Sequence, residues 1–171
     1  HGWDQDPFER HKKSLKGNKN IKHWNYSITK LGFKYNMTDL MASIGLVQLK
    51  KLKYFNKTRL KIIKTYTKKL KDSKNFYPAF PYTFKDSSYW MFTLRCKKRD
   101  KLINYLKSKK IATTVYIKPL PLHPLYKGFK SKIKNSLNIW KELLTIPTYP
   151  NMTNNQLLYV VKNLKKFDKA N

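Results

Sequence analysis

The sequence predicts an α+β fold: one long amphipathic helix, then a small domain in which helices back a mainly antiparallel sheet. Three observations predict it. From Thr38 to Lys71 apolar residues recur every three or four positions, and no proline intervenes. Beyond Pro78 and Pro81 the pattern alternates between short β-favouring runs and short helical runs, as expected where helices pack on a sheet. Near the end, Thr153 precedes a run with Leu157, Val160, Val161, Leu164 and Phe167 on one face, which reads as the cap and buried stripe of a last helix.

The elements follow in order. Residues 1–30 are polar, with Gly17 among Lys and Asn, and read as a loop anchored by Trp3, Phe8 and Trp24. In the long helix Leu40, Ile44, Val47, Leu49, Leu52 and Phe55 form the first part of the stripe, and Leu60, Ile63, Tyr66 and Leu70 continue it. At 1.5 Å per residue it would span ~50 Å, the length of a connector between domains, with Asn56 as the place for a bend. Tyr89–Cys96 is rich in aromatic and strand-favouring residues and reads as a strand. Arg99–Lys109 is a helix with Leu102, Ile103 and Leu106 on one face, and Ile111–Ile117 a second strand. Pro119, Pro121 and Pro124 enforce an extended loop. Residues 135–143 read as a short helix and 144–146 as a short strand.

Composition bounds the function. Among 171 residues, 40% are apolar and 15% aromatic, too many for a disordered chain. No apolar run approaches the length that spans a bilayer. The single Cys96 excludes an internal disulfide framework and suits a reducing cytoplasm; placed in a strand, it reads as a buried, inert thiol. The net charge is +29, from 38 basic and 9 acidic residues. Only Arg10, Arg59, Arg95 and Arg99 are arginine, so 34 are lysine, and they occur in every segment. Such spreading favours a solvated surface over a dedicated nucleic-acid face. His1, His11, His23 and His123 lack metal-ligand spacing, no glycine-rich phosphate loop is present, and the acidic residues are too sparse for a paired-carboxylate site. Composition alone therefore shows neither a metal site nor a self-contained active site.

The richest block is Leu31–Lys50. Gly32 breaks regular structure, and Thr38 or Asp39 can cap the helix that follows. Asn36 stands at the helix mouth, where unpaired N–H groups and the dipole favour an anion such as phosphate. This block, Leu31-Gly-Phe-Lys-Tyr-Asn-Met-Thr-Asp39 and its continuation to Leu52, resembles the sugar aminotransferases of the DegT/StrS type. The likeness extends over essentially the whole chain and keeps the family's order. Before the block come His1-Gly2, Asp6-Pro7-Phe8 and Trp24-Asn25-Tyr26. After it come Arg59, Tyr66 and Leu70, then Arg99–Leu106, Lys110–Tyr116, Pro119–Tyr126 and Ile146–Thr153.

The resemblance implies an aspartate-aminotransferase-like fold, of which this chain is the C-terminal part. Residues 1–37 would be an active-site loop from the end of the large domain, 38–71 the interdomain helix, and 72–171 the small α+β C-terminal domain. It implies pyridoxal 5′-phosphate as cofactor and transfer of an amino group, from glutamate, to a nucleotide-linked keto-sugar for polysaccharide or glycoconjugate precursors. The enzyme would be a cytoplasmic homodimer with shared active sites, without membrane or nucleic-acid partners. The Schiff-base lysine would lie upstream of His1. None of the 34 lysines stands in its expected context, so the chain alone is expected to be inactive and its first helical turns to expose an apolar stripe.

In the family the residue matching Asn36 donates its amide to the cofactor phosphate of the neighbouring subunit; the other reading is a local cap of the turn before Thr38. His123 is either a substrate contact or a partly buried loop residue. The family has Pro-Leu-His where this chain has Pro119-Leu120-Pro121, which weakens the carry-over. Tyr35 is carried over as substrate-binding. Tyr35 and Tyr116 line the site or belong to a core, and the roles of His1 and Trp24 stay open. The positive charge can assist capture of an anionic nucleotide sugar. Two further readings remain: a basic nucleic-acid-binding module, and an inactive dimerisation fragment.

Overall fold

Thirty-two consecutive residues form one helix, α1, Asp39–Leu70. Thr38 is its cap: the Thr38 hydroxyl accepts from the Met41 N–H at 3.3 Å, and its carbonyl accepts from Ala42 at 2.9 Å. The computed structural model describes residues 9, 12–13, 15–16, 27–33, 35–82, 87–126, 128 and 132–171. It divides into two compact units, His1–Leu49 and Lys50–Asn171.

In the first unit Glu9, Lys12, Lys13 and Leu15 are helical, where the sequence reading expects a loop. The reason is legible afterwards: Phe8–Lys16 contains neither Gly nor Pro, and it lies between Pro7 and Gly17, the residues favoured at a helix start and just past a helix end. Trp3, Phe8 and Trp24, the expected anchors, lie outside the described residues, as do His1, His11 and His23. Leu40, Ile44 and Val47 on α1 are exposed, as expected of the stripe.

The second unit is built on a three-stranded antiparallel sheet in the order β1 (Phe76–Pro78), β2 (Phe92–Cys96), β3 (Leu143–Ile146). The register pairs Phe76 with Cys96, Leu94 with Leu144 and Phe92 with Ile146. Paired residues share a face, so these six side chains form one layer, and none is more than 2% exposed. Three helices supply the rest of the core: Ile62, Ile63, Tyr66 and Leu70 of α1; Leu102 and Leu106 of α2 (Arg99–Ser108); and Leu157, Val160, Val161, Leu164 and Phe167 of α4 (Asn154–Lys169). A short α3 (Lys134–Glu142) runs directly into β3. The expected α+β class with an antiparallel sheet is observed, and the predicted face of the last helix is buried residue for residue. Cys96 is buried in β2, and burial pushes its thiol pKa up, which suits an inert group.

The predicted strand Ile111–Ile117 does not form. It contributes one bridge, in which Thr114 and Thr145 exchange N–H···O bonds of 3.1 and 2.8 Å. An antiparallel ladder would need the next bonded pairs at Ala112–Pro147 and Tyr116–Leu143. Pro147 has no N–H, and the Leu143 N–H is already donated to the Trp140 carbonyl at the end of α3. Residue composition favours a strand here, but its partner has nothing left to offer.

Polar contacts fix the helices. Thr153 and Gln156 make a reciprocal capping box at the start of α4, with bonds of 3.2 and 2.9 Å. At its other end the Asp168 carboxylate accepts from the N–H groups of Lys74 and Asn75 and from the Asn75 amide. One side chain thus ties the turn after α1 to the last turn of α4. We expect Asp168→Ala to destabilise the protein by about 1–3 kcal/mol, because two backbone donors lose their acceptor. Asp168→Asn, which keeps one acceptor oxygen, should cost less. Urea unfolding checks this; equal midpoints for wild type and Asp168→Ala would show that the clamp contributes nothing.

Candidate functional site

The carried-over residues fall in two places. Tyr35 and Asn36 belong to the first unit, just before the Thr38 cap. Tyr35 is 84% exposed and stacks on Phe33 with ring centroids 5.6 Å apart. Asn36 is exposed. Thr38 occupies the Met41 N–H, while those of Asp39 and Leu40 have no partner within the helix. Two such N–H groups at the positive end of a 32-residue helix suit a phosphate oxygen, and Asn36 stands three residues before the first of them in the chain. Asp39 is also in this turn and competes with an external anion for the same dipole.

His123 belongs to the second unit. It joins two single 3₁₀ turns, Leu120–Leu122 and Pro124–Tyr126, donating its N–H to Leu120 and accepting from Tyr126 at 2.9 and 3.0 Å. The expected extended loop is therefore two tight turns, the three prolines fixing φ without preventing short 3₁₀ bonds. The imidazole is half-buried.

Tyr116 lies elsewhere in the second unit, 40% exposed, with its ring edge-on to Trp90 at 5.5 Å and 67°. Together they form a wall between two hollows. On one side is a cleft of about 470 Å³ lined by Phe80, Tyr82, Tyr89, Met91 and Ile117 among others. The other is a smaller hollow of about 240 Å³ lined by Thr114, Thr145, Thr148 and Tyr149 among others. Among the described residues none that lines either is charged.

The sheet explains this cleft. Thr93 pairs with Thr145, and their buried hydroxyls lie 3.0 Å apart on the face opposite the helices. β1 stops at Pro78, so the Thr93 N–H lacks a strand partner and donates instead to the Tyr82 hydroxyl at 3.1 Å. Tyr82 in turn stacks on Phe92 at 4.8 Å. Burial raises the Tyr82 pKa, and the Thr93 N–H offsets part of that rise. Sequence reasoning missed Trp90 and Tyr82. The cue was the density of aromatics in Phe80–Trp90, more than a core strand needs.

Among the described residues no three His, Cys, Asp or Glu side chains gather to hold a metal, and no helix is long and apolar enough to cross a membrane.

The model of the DegT/DnrJ/EryC1/StrS aminotransferase family matches residues 8–165. The chain is 33% identical, over its whole length, to the uncharacterized protein MJ1066 of Methanocaldococcus jannaschii, of which it covers 45%. It is 28% identical to the GDP-perosamine synthase of Escherichia coli O157:H7, with 85% of this chain and 40% of that protein covered. Among solved structures, the PMP-form of the putative sugar aminotransferase Spr1654 from Streptococcus pneumoniae superposes with a TM-score of 0.81 at 25% identity, over 99% of this chain and 43% of that one. The chain spans less than half the length of each. It belongs to the DegT/DnrJ/EryC1/StrS aminotransferase family.

Tyr82→Phe keeps the ring but leaves the Thr93 N–H without an acceptor. We expect a loss of about 1–3 kcal/mol in unfolding free energy. Thermal and urea unfolding measure it. A change within error would show that water replaces the hydroxyl at no cost.

Proposed function

We propose that this chain supplies the small domain, the interdomain helix and one cofactor-phosphate contact of a pyridoxal-phosphate-dependent aminotransferase. The enzyme moves an amino group from glutamate to a nucleotide-linked keto-sugar, as a cytoplasmic homodimer. The family match over residues 8–165 carries this reading. Relatives such as the GDP-perosamine synthase support the nucleotide-sugar class, and the PMP-form of Spr1654 supports the cofactor. In this reading residues 1–37 lie at the end of the large domain, 38–71 connect the domains, and 72–171 are the small domain.

The donor set fits the phosphate of the cofactor and nothing more of it. Asn36 offers an amide N–H, and the first turn of α1 offers backbone N–H groups under its dipole. When bound, the cofactor supplies an electron sink for the carbon that exchanges its amino group. Asn36 holds the phosphate and so fixes where the ring lies. Tyr35 and His123 contact substrate, Tyr35 as an exposed ring and His123 as a half-buried imidazole able to hydrogen-bond a sugar hydroxyl. The Schiff-base lysine comes from outside these 171 residues.

The test is release of 2-oxoglutarate from glutamate by the full-length protein loaded with the cofactor. No release of the matching 2-oxo acid from glutamate or from any other amino donor would end the aminotransferase reading. The 171-residue chain alone should give no stoichiometric, borohydride-trapped adduct at one lysine. In the full-length protein Asn36→Ala should weaken cofactor retention by about tenfold to over a hundredfold, since a hydrogen bond to a charged group contributes about 1.5–3 kcal/mol. Cofactor dissociation and thermal unfolding are read on the same variant. A lowered melting point with unchanged retention would reduce Asn36 to a local turn residue.

A further inference from the structure

The side of α1 and α4 turned away from the sheet takes no part in the site described above. We propose that it docks on an anionic lipid bilayer, through a ring of lysines around Leu158 where the two helices meet.

The placement of charge makes the first argument. Lys50, Lys53, Lys57, Lys61, Lys64 and Lys68 recur every three or four residues along α1, and all are exposed. At 3.6 residues per turn they form one stripe, opposite the side of the helix that buries Ile62, Ile63, Tyr66 and Leu70. The stripe is ~27 Å long at 1.5 Å per residue. Between Asp39 and Asp72 the sequence has no acidic residue. α4 adds Lys162, Lys165, Lys166 and Lys169, all exposed, and its one acidic residue, Asp168, is held by the N–H groups of Lys74 and Asn75. α2 and α3 instead mix signs, with Asp100 and Glu142 among their basic residues.

What the lysines surround makes the second. A hollow of about 390 Å³ lies between the helices, lined by Lys69 of α1 and by Lys162, Lys165, Lys166 and Lys169 of α4 around Leu158 and Val161. Among the described residues none of these five lysines is ion-paired. Leu158 is 47% exposed. An apolar side chain set among ammonium groups matches the boundary between phospholipid headgroups and acyl chains, where lysine stems lie along apolar surface and their heads reach phosphate. Clusters of roughly four to eight basic residues on an amphipathic helix adsorb to anionic leaflets, each lysine contributing about fivefold in affinity. Adsorption of this kind needs no membrane-spanning helix. A nucleic-acid duplex is the other extended polyanion. It would gain from the lysines but not from Leu158, and among the described lining residues there is no arginine or aromatic ring to engage a base. A lysine surface selects no particular anion, and a bilayer requires no such selection.

The docking does not rest on the aminotransferase reading, and its test reads no turnover. Full-length protein is sedimented at physiological ionic strength with phosphatidylcholine vesicles, either plain or holding about 30% phosphatidylserine, and a generic DNA duplex is the second probe. Wild type should bind the phosphatidylserine vesicles and not the plain ones, and added salt should release it. Lys165→Ala with Lys166→Ala should weaken vesicle binding about 25-fold. Lys134→Ala with Lys141→Ala on α3 removes the same charge and should change it by less than about twofold. Leu158→Gln should weaken vesicle binding and leave any duplex binding unchanged. All five positions are exposed, so the variants should fold, and their melting points check this. Equal losses from the two lysine pairs overturn the proposal, because net charge alone would then account for the binding. So does binding of the duplex without the vesicles, which would make this a nucleic-acid surface. Undiminished vesicle binding by Leu158→Gln overturns the assignment to lipid. Absence of vesicle binding in wild type also overturns it, leaving a face that is solvated or covered by protein outside these 171 residues.

Discussion

A sheet of three strands, the longest only five residues, cannot hold itself together in water. The second unit depends on how one face of that sheet is covered. Phe76, Phe92, Leu94, Cys96, Leu144 and Ile146 form a continuous apolar layer, and the C-terminal half of α1, α2 and α4 close over it. The hydrogen bonds described above act in support of this layer. Tyr66, at the centre of the helical side, packs on Phe92 with centroids 5.2 Å apart and donates to the Pro147 carbonyl at 2.9 Å. Burial, with a smaller contribution from Tyr149, raises its pKa far above the usual phenol value, so the hydroxyl stays a neutral donor. The capping box of α4 and the Asp168 clamp then set where the covering helices begin and end.

The opposite face is free of that demand, and its chemistry differs accordingly. Thr93 and Thr145 share a buried hydroxyl pair, and Arg95 lies between the Tyr77 ring at 5.5 Å and Glu142 at 2.7 Å. These groups would be costly against the helix layer. Trp90 and Tyr116 line the two hollows, one with Thr93 and the other with Thr145. Strand alternation in Phe92–Cys96 thus gives one face to the apolar layer and the other to polar groups.

The features legible in the sequence are those set by local chemistry. Thr38 and Thr153 cap helices because a hydroxyl before an apolar run can reach the third N–H of the helix, a rule that needs no tertiary knowledge. The last helix shows its buried face by periodicity alone. Three features were not legible because they depend on distant partners. β1 is only three residues long and exists through its pairing with β2. Ile111–Ile117 has strand composition but meets a proline and an occupied N–H. Lys110 takes a left-handed conformation, φ 57°, where glycine is preferred. It is held there because the Ile111 N–H reaches the Leu106 carbonyl at 3.0 Å and the Ile111 side chain is buried. For the candidate site, Asn36 could be singled out because it precedes a helix start that the sequence announces. Trp90 could not, since what it packs on is Tyr116, twenty-six positions away.

Charge and recognition separate in this molecule in a way that composition hides. A net charge of +29 invites the reading that binding is electrostatic. The described lysines of the second unit lie mostly on outer helix surfaces, where solvent screens them beyond a Debye length of about 8 Å at physiological ionic strength. They can raise the local concentration of any anion without choosing among anions. Selection has to come from groups that differ between ligands in shape and hydrogen bonding. A diffuse lysine surface does not have that property.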